Sequence, residues 1–192
     1  LLKMYENFIE NDVLGTQDLL KLGLNKNDLT RLVATGKLVR PKKGKYAVGD
    51  VEGLLVYSKV HFGKRNHNPI MARKALAKAV ELSPDNGKVQ TRMFLNAIID
   101  QNFDQALKSF EVMDKTDNIY YKQDQNMWLY LLSFVGELPE KYQERVRKMT
   151  YADIKVLDED KRYEDKALQE KIRTNMMNYS FKVASSLTNA IP

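Results

Sequence analysis

Residues 15–48 have the sequence GTQDLLKLGLNKNDLTRLVATGKLVRPKKGKYAV, and this stretch decides the fold of the N-terminal part of the chain. Thr16 and Asn25 are of the type that caps helices, because their side-chain oxygens can accept a free backbone N–H. Gly36 is suited to end the helix that begins after Asn25. Two short helices joined by a turn that contains Gly23 are typical of a helix-turn-helix motif.

The second of these helices is predicted to have an apolar and a polar face. With 3.6 residues per turn, its apolar side holds Leu29, Leu32 and Val33. The opposite side carries an amide, a hydroxyl, a guanidinium and a methyl group, from Asn27, Thr30, Arg31 and Ala34. Such groups can bond base edges or contact a thymine methyl in a major groove. The buried face of the first helix is expected to consist of Leu19, Leu20 and Leu22.

A basic β-hairpin is predicted directly after the second helix. Residues 38–40 and 46–48 are β-prone, and Gly44 between them suits a tight turn. The segment contains no acid and five cations, namely Lys37, Arg40, Lys42, Lys43 and Lys45. Such a hairpin indicates a wing that binds phosphates. The alternative is a solvated hairpin whose lysines only prevent edge-to-edge pairing of strands. The predicted nucleic-acid-binding residues are Lys26, Asn27, Thr30, Arg31, Arg40, Lys42, Lys43 and Lys45.

Several short motifs in this region resemble a known family. They are Gly15-Thr16-Gln17-Asp18-Leu19, Leu22-Gly23-Leu24, Leu29-Thr30-Arg31-Leu32-Val33, Gly36-Lys37-Leu38-Val39-Arg40 and Gly44-Lys45-Tyr46-Ala47. Together they resemble the N-terminal winged-helix domain of abortive-infection type IV antitoxins and related bacterial regulators. The resemblance implies a domain that binds promoter DNA, often for autoregulation.

A spacing of 34 residues recurs after residue 50. Ala72, Leu76, Ala79 and Pro84 are followed at this displacement by Ala106, Phe110, Met113 and Asn118. This order of residue types resembles the second helix of a tetratricopeptide repeat, with Asn102-Phe103 at the preceding turn. A third, more divergent unit is predicted at a displacement of 36 residues, with Tyr142, Val146 and Met149. Because one helical pair cannot bury its apolar face alone, stacked repeats are expected.

The predicted fold class is mostly α, with a winged helix-turn-helix and small β-hairpin in residues 1–50 and an α-helical repeat domain in residues 51–192. The first domain is expected to begin with a short helix that ends near Asp12. The last helix is predicted to cap the repeats or to form a homodimer face through an apolar stripe of Leu168, Ile172, Met176, Tyr179, Val183 and Leu187. A solvated connection is expected at Asp158-Glu159-Asp160.

Positive charge is concentrated in the first part of the chain. Residues 1–80 contain 15 Lys and Arg against 7 Asp and Glu, a balance of +8, whereas residues 81–192 contain 16 against 18, a balance of −2. The asymmetry predicts that the first part meets a polyanion. Between Leu54 and Val80 there is no acid, but there are eight basic or histidine residues, Lys59, His61, Lys64, Arg65, His67, Arg73, Lys74 and Lys78. This stretch either extends the phosphate-binding surface or is a solvated helix face.

Composition argues against several other classes of protein. The chain is 43% hydrophobic and 29% charged, which is typical of a globular protein. It has no cysteine, which excludes disulfides and thiolate metal sites and favours a reducing, cytoplasmic location. Neither a membrane span nor a secretory signal is expected. The start at Leu1 rather than at methionine is expected of a piece of a longer protein.

An enzyme is not expected. The chain offers no nucleophile–base–orienter set, and no glycine-rich phosphate loop follows a strand. His61 and His67, placed in a predicted loop without neighbouring carboxylates, are a poor metal site, so neither a metal nor a cofactor is predicted.

Two functions remain open. The first is a transcriptional regulator whose winged domain binds duplex DNA and whose helical repeats bind a protein or peptide partner or form a homodimer. The second is a protein-interaction adaptor, including an antitoxin-like one, whose winged domain docks protein instead of nucleic acid. Salt-dependent binding to duplex DNA separates them, because phosphate contacts release counterions.

Overall fold

The computed structural model describes residues 2–63, 65–150 and 153. The chain is mostly helical, and a small three-stranded antiparallel sheet lies near its N-terminus. This is the predicted fold class of a winged helix followed by a helical domain. The chain forms two compact units, of which the first ends at Val89 and the second begins at Gln90. None of the described helices combines the length and apolar character that crossing a membrane requires.

The first unit contains five helices and three strands in its described residues. They are α1 (Leu2–Glu10), β1 (Leu14–Gly15), α2 (Thr16–Lys21), α3 (Lys26–Ala34), β2 (Leu38–Lys42), β3 (Lys45–Val48), α4 (Val51–Phe62) and α5 (Pro69–Leu82). The order α1-β1-α2-α3-β2-β3 places a helix-turn-helix, α2 and α3, directly before a hairpin. The strands β2 and β3 are each longer than the three-residue segments predicted from the sequence.

The sheet has the strand order β1-β3-β2, with both neighbouring pairs antiparallel. Leu14 of β1 pairs with Tyr46, and Leu38 of β2 pairs with Val48. These four side chains are buried, so the inner face of the sheet closes the core of the winged domain. The register between β2 and β3 shifts by a bulge, and β2 lies at an edge of the sheet, where the Pro41 in it is tolerated.

The helices of the winged domain bury a narrower face than the sequence predicted. Leu19 is fully buried in α2, whereas Leu20 and Leu22 are only half-buried. In α3 the buried residues are Leu29 and Leu32, and the predicted third residue of the face, Val33, is half-buried. The remainder of this core comes from α1, through Phe8, and from the sheet.

Helix α4 continues the first unit beyond the domain boundary predicted at residue 50. The hydroxyl of Tyr5 on α1 donates to Asp50 Oδ2 at 2.5 Å, and Asp50 Oδ1 accepts from Gly53 N at 2.9 Å, which caps α4. The Tyr57 hydroxyl donates to Glu6 Oε1 at 3.4 Å, and burial together with the charge of Glu6 raises the pKa of Tyr57 to about 12. Helix α1 thus packs on α4, and the compact unit extends to Val89.

The described part of the second unit contains the helices α6 (Gly87–Ile99), which begins in the first unit, α7 (Phe103–Met113), α8 (Gln125–Leu132) and α9 (Glu140–Arg147), with a 3-10 helix at Lys122–Asp124. Its core is built around aromatic residues. The Trp128 ring stacks on Phe94 at 5.1 Å between centroids, and Tyr142 meets Phe110 edge-on at 5.4 Å. All four of these aromatic side chains are buried.

The fourth position of the 34-residue spacing, Pro84 and Asn118, is exposed and lies outside the helices, whereas the other three are buried in both helices that carry them. They are Ala72, Leu76 and Ala79 in α5, and Ala106, Phe110 and Met113 in α7. The N-caps follow the same spacing, because Asn68 accepts from Met71 N at 3.3 Å and Asn102 accepts from Gln105 N at 3.2 Å. The tetratricopeptide assignment itself stays a prediction. The predicted C-terminal stripe and the cluster at residues 158–160 lie outside the described residues.

Candidate nucleic-acid interface

Helix α3 is defined at both ends by local interactions. At its N-terminus the Asn25 side chain accepts from Asp28 N at 2.9 Å, and Asp28 Oδ2 accepts from Asn25 N at 3.0 Å. This reciprocal pair satisfies two backbone donors that a helix start leaves free. At the other end Gly36 adopts φ +76, a left-handed conformation that favours glycine. The cap and the stop agree with the sequence prediction.

The turn that precedes α3 is also local. Gly23 has φ +94 and its N–H donates to Leu20 O at 3.0 Å, so α2 ends there. The start of α2 differs from the prediction, because Thr16 is its first helical residue rather than its cap. Gly15 holds the cap position, and the carboxylate of Asp18 accepts from Gly15 N at 2.9 Å. The Thr16 hydroxyl therefore does not cap this helix, and the Asp18 carboxylate instead binds the backbone N–H of the cap residue.

The outward face of α3 is fully accessible. All four of its predicted binding residues are exposed, namely Lys26, Asn27, Thr30 and Arg31. The Arg31 side chain is 71% exposed and lies 3.3 Å from Asp28 Oδ1 through its Nη2. The Thr30 hydroxyl donates to Lys26 O at 3.0 Å, which leaves its oxygen lone pairs as acceptors. The exposed face of α3 therefore presents hydrogen-bond donors and acceptors to a ligand without a change in the conformation of the helix.

The hairpin places like charges next to each other. Lys42 and Lys45 are paired across the two strands, Lys43 lies in the turn, and Gly44 turns the chain with φ +73. Like charges directly opposite one another in a sheet are destabilising. Within the described ranges no ion pair compensates these three lysines, and all of them are exposed. The arrangement is electrostatically unfavourable in isolation and suits contact with a polyanion.

The hairpin is attached to the helix-turn-helix through its tip. Gly44 O accepts from Thr16 N, the first residue of α2, at 3.2 Å. Arg40 is exposed, and its guanidinium lies 5.6 Å from the centroid of the Tyr46 ring, along the sheet. The structure therefore presents the eight predicted residues as two exposed sets, four on α3 and four on the hairpin, in one domain.

The second basic stretch, residues 54–80, has a different environment in the part that lies on α5. Lys74 lies 3.2 Å from Glu10, and Lys78 pairs with Asp12, so both are bound to the end of α1 and the loop after it. If this stretch extends the phosphate-binding surface, it does so without these two lysines, because both already have acidic partners. Sequence reasoning missed the pairing because the partners are far apart along the chain.

One of the two histidines differs from its predicted position in a loop. His61 lies in α4 and not in a loop, is 9% exposed, and stacks on the Tyr57 ring at 3.9 Å. Its Nδ1 lies 2.9 Å from Tyr57 O. His67 does lie in the loop before α5. In the part of the chain that the structure describes, no three metal-ligating side chains come together.

The order of elements, the exposed second helix and the basic hairpin define a winged helix-turn-helix domain. Residues 4–49 match a protein family described as "Transcriptional regulator, AbiEi antitoxin", and this match spans α1 to β3. The comparison with curated proteins gave no match, and the comparison with solved structures gave none either. The N-terminal domain is therefore similar to that of a regulator and antitoxin family.

Proposed function

We propose that this protein is a transcriptional regulator that binds duplex DNA through its winged domain. The observation that carries the proposal is the hairpin, where Lys42, Lys43 and Lys45 lie exposed with no ion pair among the described residues. Its tip is hydrogen-bonded to the start of the helix-turn-helix. The similarity of residues 4–49 to a family of transcriptional regulators supports the same function.

In this proposal the two exposed sets have different tasks. The wing lysines and Arg40 contact phosphates, which provides affinity without sequence preference and sets the register of the domain on DNA. Helix α3 enters the major groove, where Arg31 can form a bidentate pair with a guanine edge and Asn27 with an adenine edge. Lys26 and Thr30 flank these two residues on the same exposed face.

The helices that follow the winged domain have a separate function in this proposal. We propose that they bind a protein or peptide partner or form a homodimer, and that the protein acts in the cytoplasm and performs no catalysis. The support is that α5 and α7 share three buried positions and an asparagine cap at a spacing of 34 residues. Helical repeats of this kind form extended surfaces for partners.

The test is the salt dependence of DNA binding by the full chain. Fluorescence anisotropy with a labelled duplex of mixed sequence, measured at several salt concentrations, is expected to show an affinity that falls linearly on a logarithmic plot. A slope of about −0.9 is expected for each phosphate contacted. Absence of duplex binding at low salt would remove the regulator function.

A second function is favoured by one observation. Val39 lies on the edge strand β2 and is 46% exposed, so the wing also offers an apolar position that a protein could cover. In this adaptor function, which includes an antitoxin-like one, the winged domain docks protein. The same titration distinguishes the two, because an adaptor shows no salt-dependent affinity for the duplex.

A further inference from the structure

Arg92, in the second turn of α6, is an enclosed cation. The residue is 7% exposed, and its Nε–H is buried without a hydrogen-bond acceptor. Among the described residues no carboxylate forms an ion pair with its guanidinium. Enclosed polar groups are almost always satisfied in folded proteins, and a charge without a counter-ion is strongly unfavourable away from water. The position therefore requires an explanation.

Another arginine of the same unit has acceptors for its guanidinium. Arg145 lies 2.6 Å from Asp114 Oδ1 and 3.1 Å from Asn126 Oδ1, so two of its nitrogens have acceptors. It is more exposed than Arg92 and yet better satisfied. Burial alone therefore does not account for the lack of an acceptor at Arg92.

An aromatic ring orients the Arg92 guanidinium. Its Cζ lies 4.9 Å from the centroid of the Tyr120 ring. Tyr120 is held there because its N–H donates to Thr91 Oγ1 at 3.3 Å and because Tyr121 turns the chain with φ +55, an uncommon conformation outside glycine. A ring on one face of a guanidinium leaves its in-plane N–H groups available, and a planar fork of this kind matches two oxygens of one ligand group.

We infer that Arg92 is the anchor of a binding site for a single carboxylate group. Of the three guanidinium nitrogens only Nε is fully enclosed without an acceptor, so the ligand approaches the Nη1 and Nη2 end of the fork. A carboxylate carries one negative charge, which equals the charge of one guanidinium, whereas a phosphate monoester carries about −1.5 to −2 near neutral pH. The inference does not depend on the proposed DNA binding.

The test is a titration of the full chain labelled with ¹⁵N, followed through the arginine Nε–H signals at constant ionic strength. The probes are sodium acetate and a blocked triglutamate peptide, with inorganic phosphate as the competing chemistry. A saturable shift of the Arg92 Nε–H signal is expected with a carboxylate probe. The two probes distinguish the possible sources of the carboxylate. If the natural ligand is a small acid, acetate alone saturates the site. If it is a peptide, the triglutamate peptide binds at least tenfold more tightly than acetate.

The variant Arg92→Lys keeps the positive charge but removes both the planar fork and the Nε–H. The Nε–H signal that is missing from its spectrum is therefore that of Arg92. Calorimetry is expected to show carboxylate binding weakened at least tenfold in this variant. The matched control is Arg147→Lys, an exposed arginine of the same unit, for which no change is expected. No saturable shift with either carboxylate, equal or tighter binding of phosphate, or unchanged affinity in Arg92→Lys would each overturn the inference. If the variant does not fold, triple-resonance assignment of the unmodified chain identifies the Arg92 Nε–H signal, so its titration still decides.

Discussion

Two groups of lysines in the first unit have the same charge and opposite environments. On α5, Lys74 and Lys78 are bound to Glu10 and Asp12. On the wing, Lys42 and Lys45 face each other across the strands, and no acid of the described chain neutralises them. The α5 lysines have a structural partner, and the wing lysines do not.

A local excess of basic residues in the sequence is therefore not enough to locate a phosphate-binding surface. Both stretches are free of acids along the sequence, and only the fold shows that α1 brings carboxylates to one of them. A cation that is already paired must give up its partner before it can bind a phosphate, whereas the wing lysines give up only water. Substitutions in the two groups of lysines test whether their environments set their roles.

Replacing Lys42, Lys43 and Lys45 together with alanine should produce the largest effect. Affinity is expected to fall for all duplexes alike, and the salt slope should flatten by about one unit for each phosphate that the wing no longer binds. Fluorescence anisotropy at several salt concentrations measures both. The fold should survive, as circular dichroism can verify, because the three side chains are exposed.

The matched control for this variant removes three exposed lysines of the second unit, Lys108, Lys115 and Lys141. The net charge changes by the same amount, but the slope should stay as it is in the parent protein. An equal flattening in both variants would show that only total charge matters and would end the special role of the wing.

Replacing Arg31 or Asn27 with alanine should cost about 1–3 kcal/mol on the cognate site and relax the preference at one base pair. Binding to unrelated duplexes should change far less, because it depends on the wing. Selection of bound sequences from a random pool identifies the cognate site, and competition against a scrambled duplex measures the decrease in affinity. Equal decreases on both duplexes would exclude these residues from base recognition.

Gly53→Ala tests the packing that holds α1 against α4. A Cβ at this position would lie 2.7 Å from Tyr5 Cζ and closer still to its hydroxyl, so Tyr5 has to move away from Asp50. Overpacking of about 1–3 kcal/mol is expected to outweigh the gain in helix propensity of about 1 kcal/mol. Urea unfolding measures the net change in stability, with Val56→Ala, at an exposed position of the same helix, as the control. A more stable Gly53→Ala protein would contradict the close approach.

Lys78→Ala should have the smallest effect, on stability and not on DNA. The hydrogen bond from Lys78 and its charge lower the pKa of Asp12 below the ordinary value of 3.8. The pair therefore contributes stability above pH 3.8, and this contribution is lost as the pH falls through the lowered pKa. Urea unfolding at about pH 7 and at about pH 2 should show a smaller difference between variant and parent at the lower pH. A flattened DNA salt slope in this variant would place Lys78 in the interface after all.

Local signals predicted the elements of the winged domain well. The cap at Asn25, the stop at Gly36 and the turn at Gly44 each depend on residues a few positions apart, and the structure places α3 and the hairpin accordingly. The strand β1 was missed because two residues, Leu14 and Gly15, form it only by pairing with β3. No periodicity is visible in so short a segment.

The candidate site was predicted as a set of exposed residues, and all eight are exposed. The sequence could not show which of the other basic residues have acidic partners in the fold. The pairs of Lys74 and Lys78 join residues 64 and 66 positions apart, which only the packing of α1 against α5 brings together. The packing of α4 against α1 also depends on residues distant in sequence, because Tyr5 and Asp50 are 45 positions apart.

The hydrogen bond from Thr16 N to Gly44 O restrains the tip of the wing relative to the helix-turn-helix. A hairpin that swung freely would lose conformational entropy on every encounter with a ligand, whereas a tethered one has already lost it during folding. The same bond provides an internal reporter, since the Thr16 amide should exchange slowly with solvent while the tip is attached. The exchange rate of this amide measures how often the hydrogen bond between the wing tip and α2 opens.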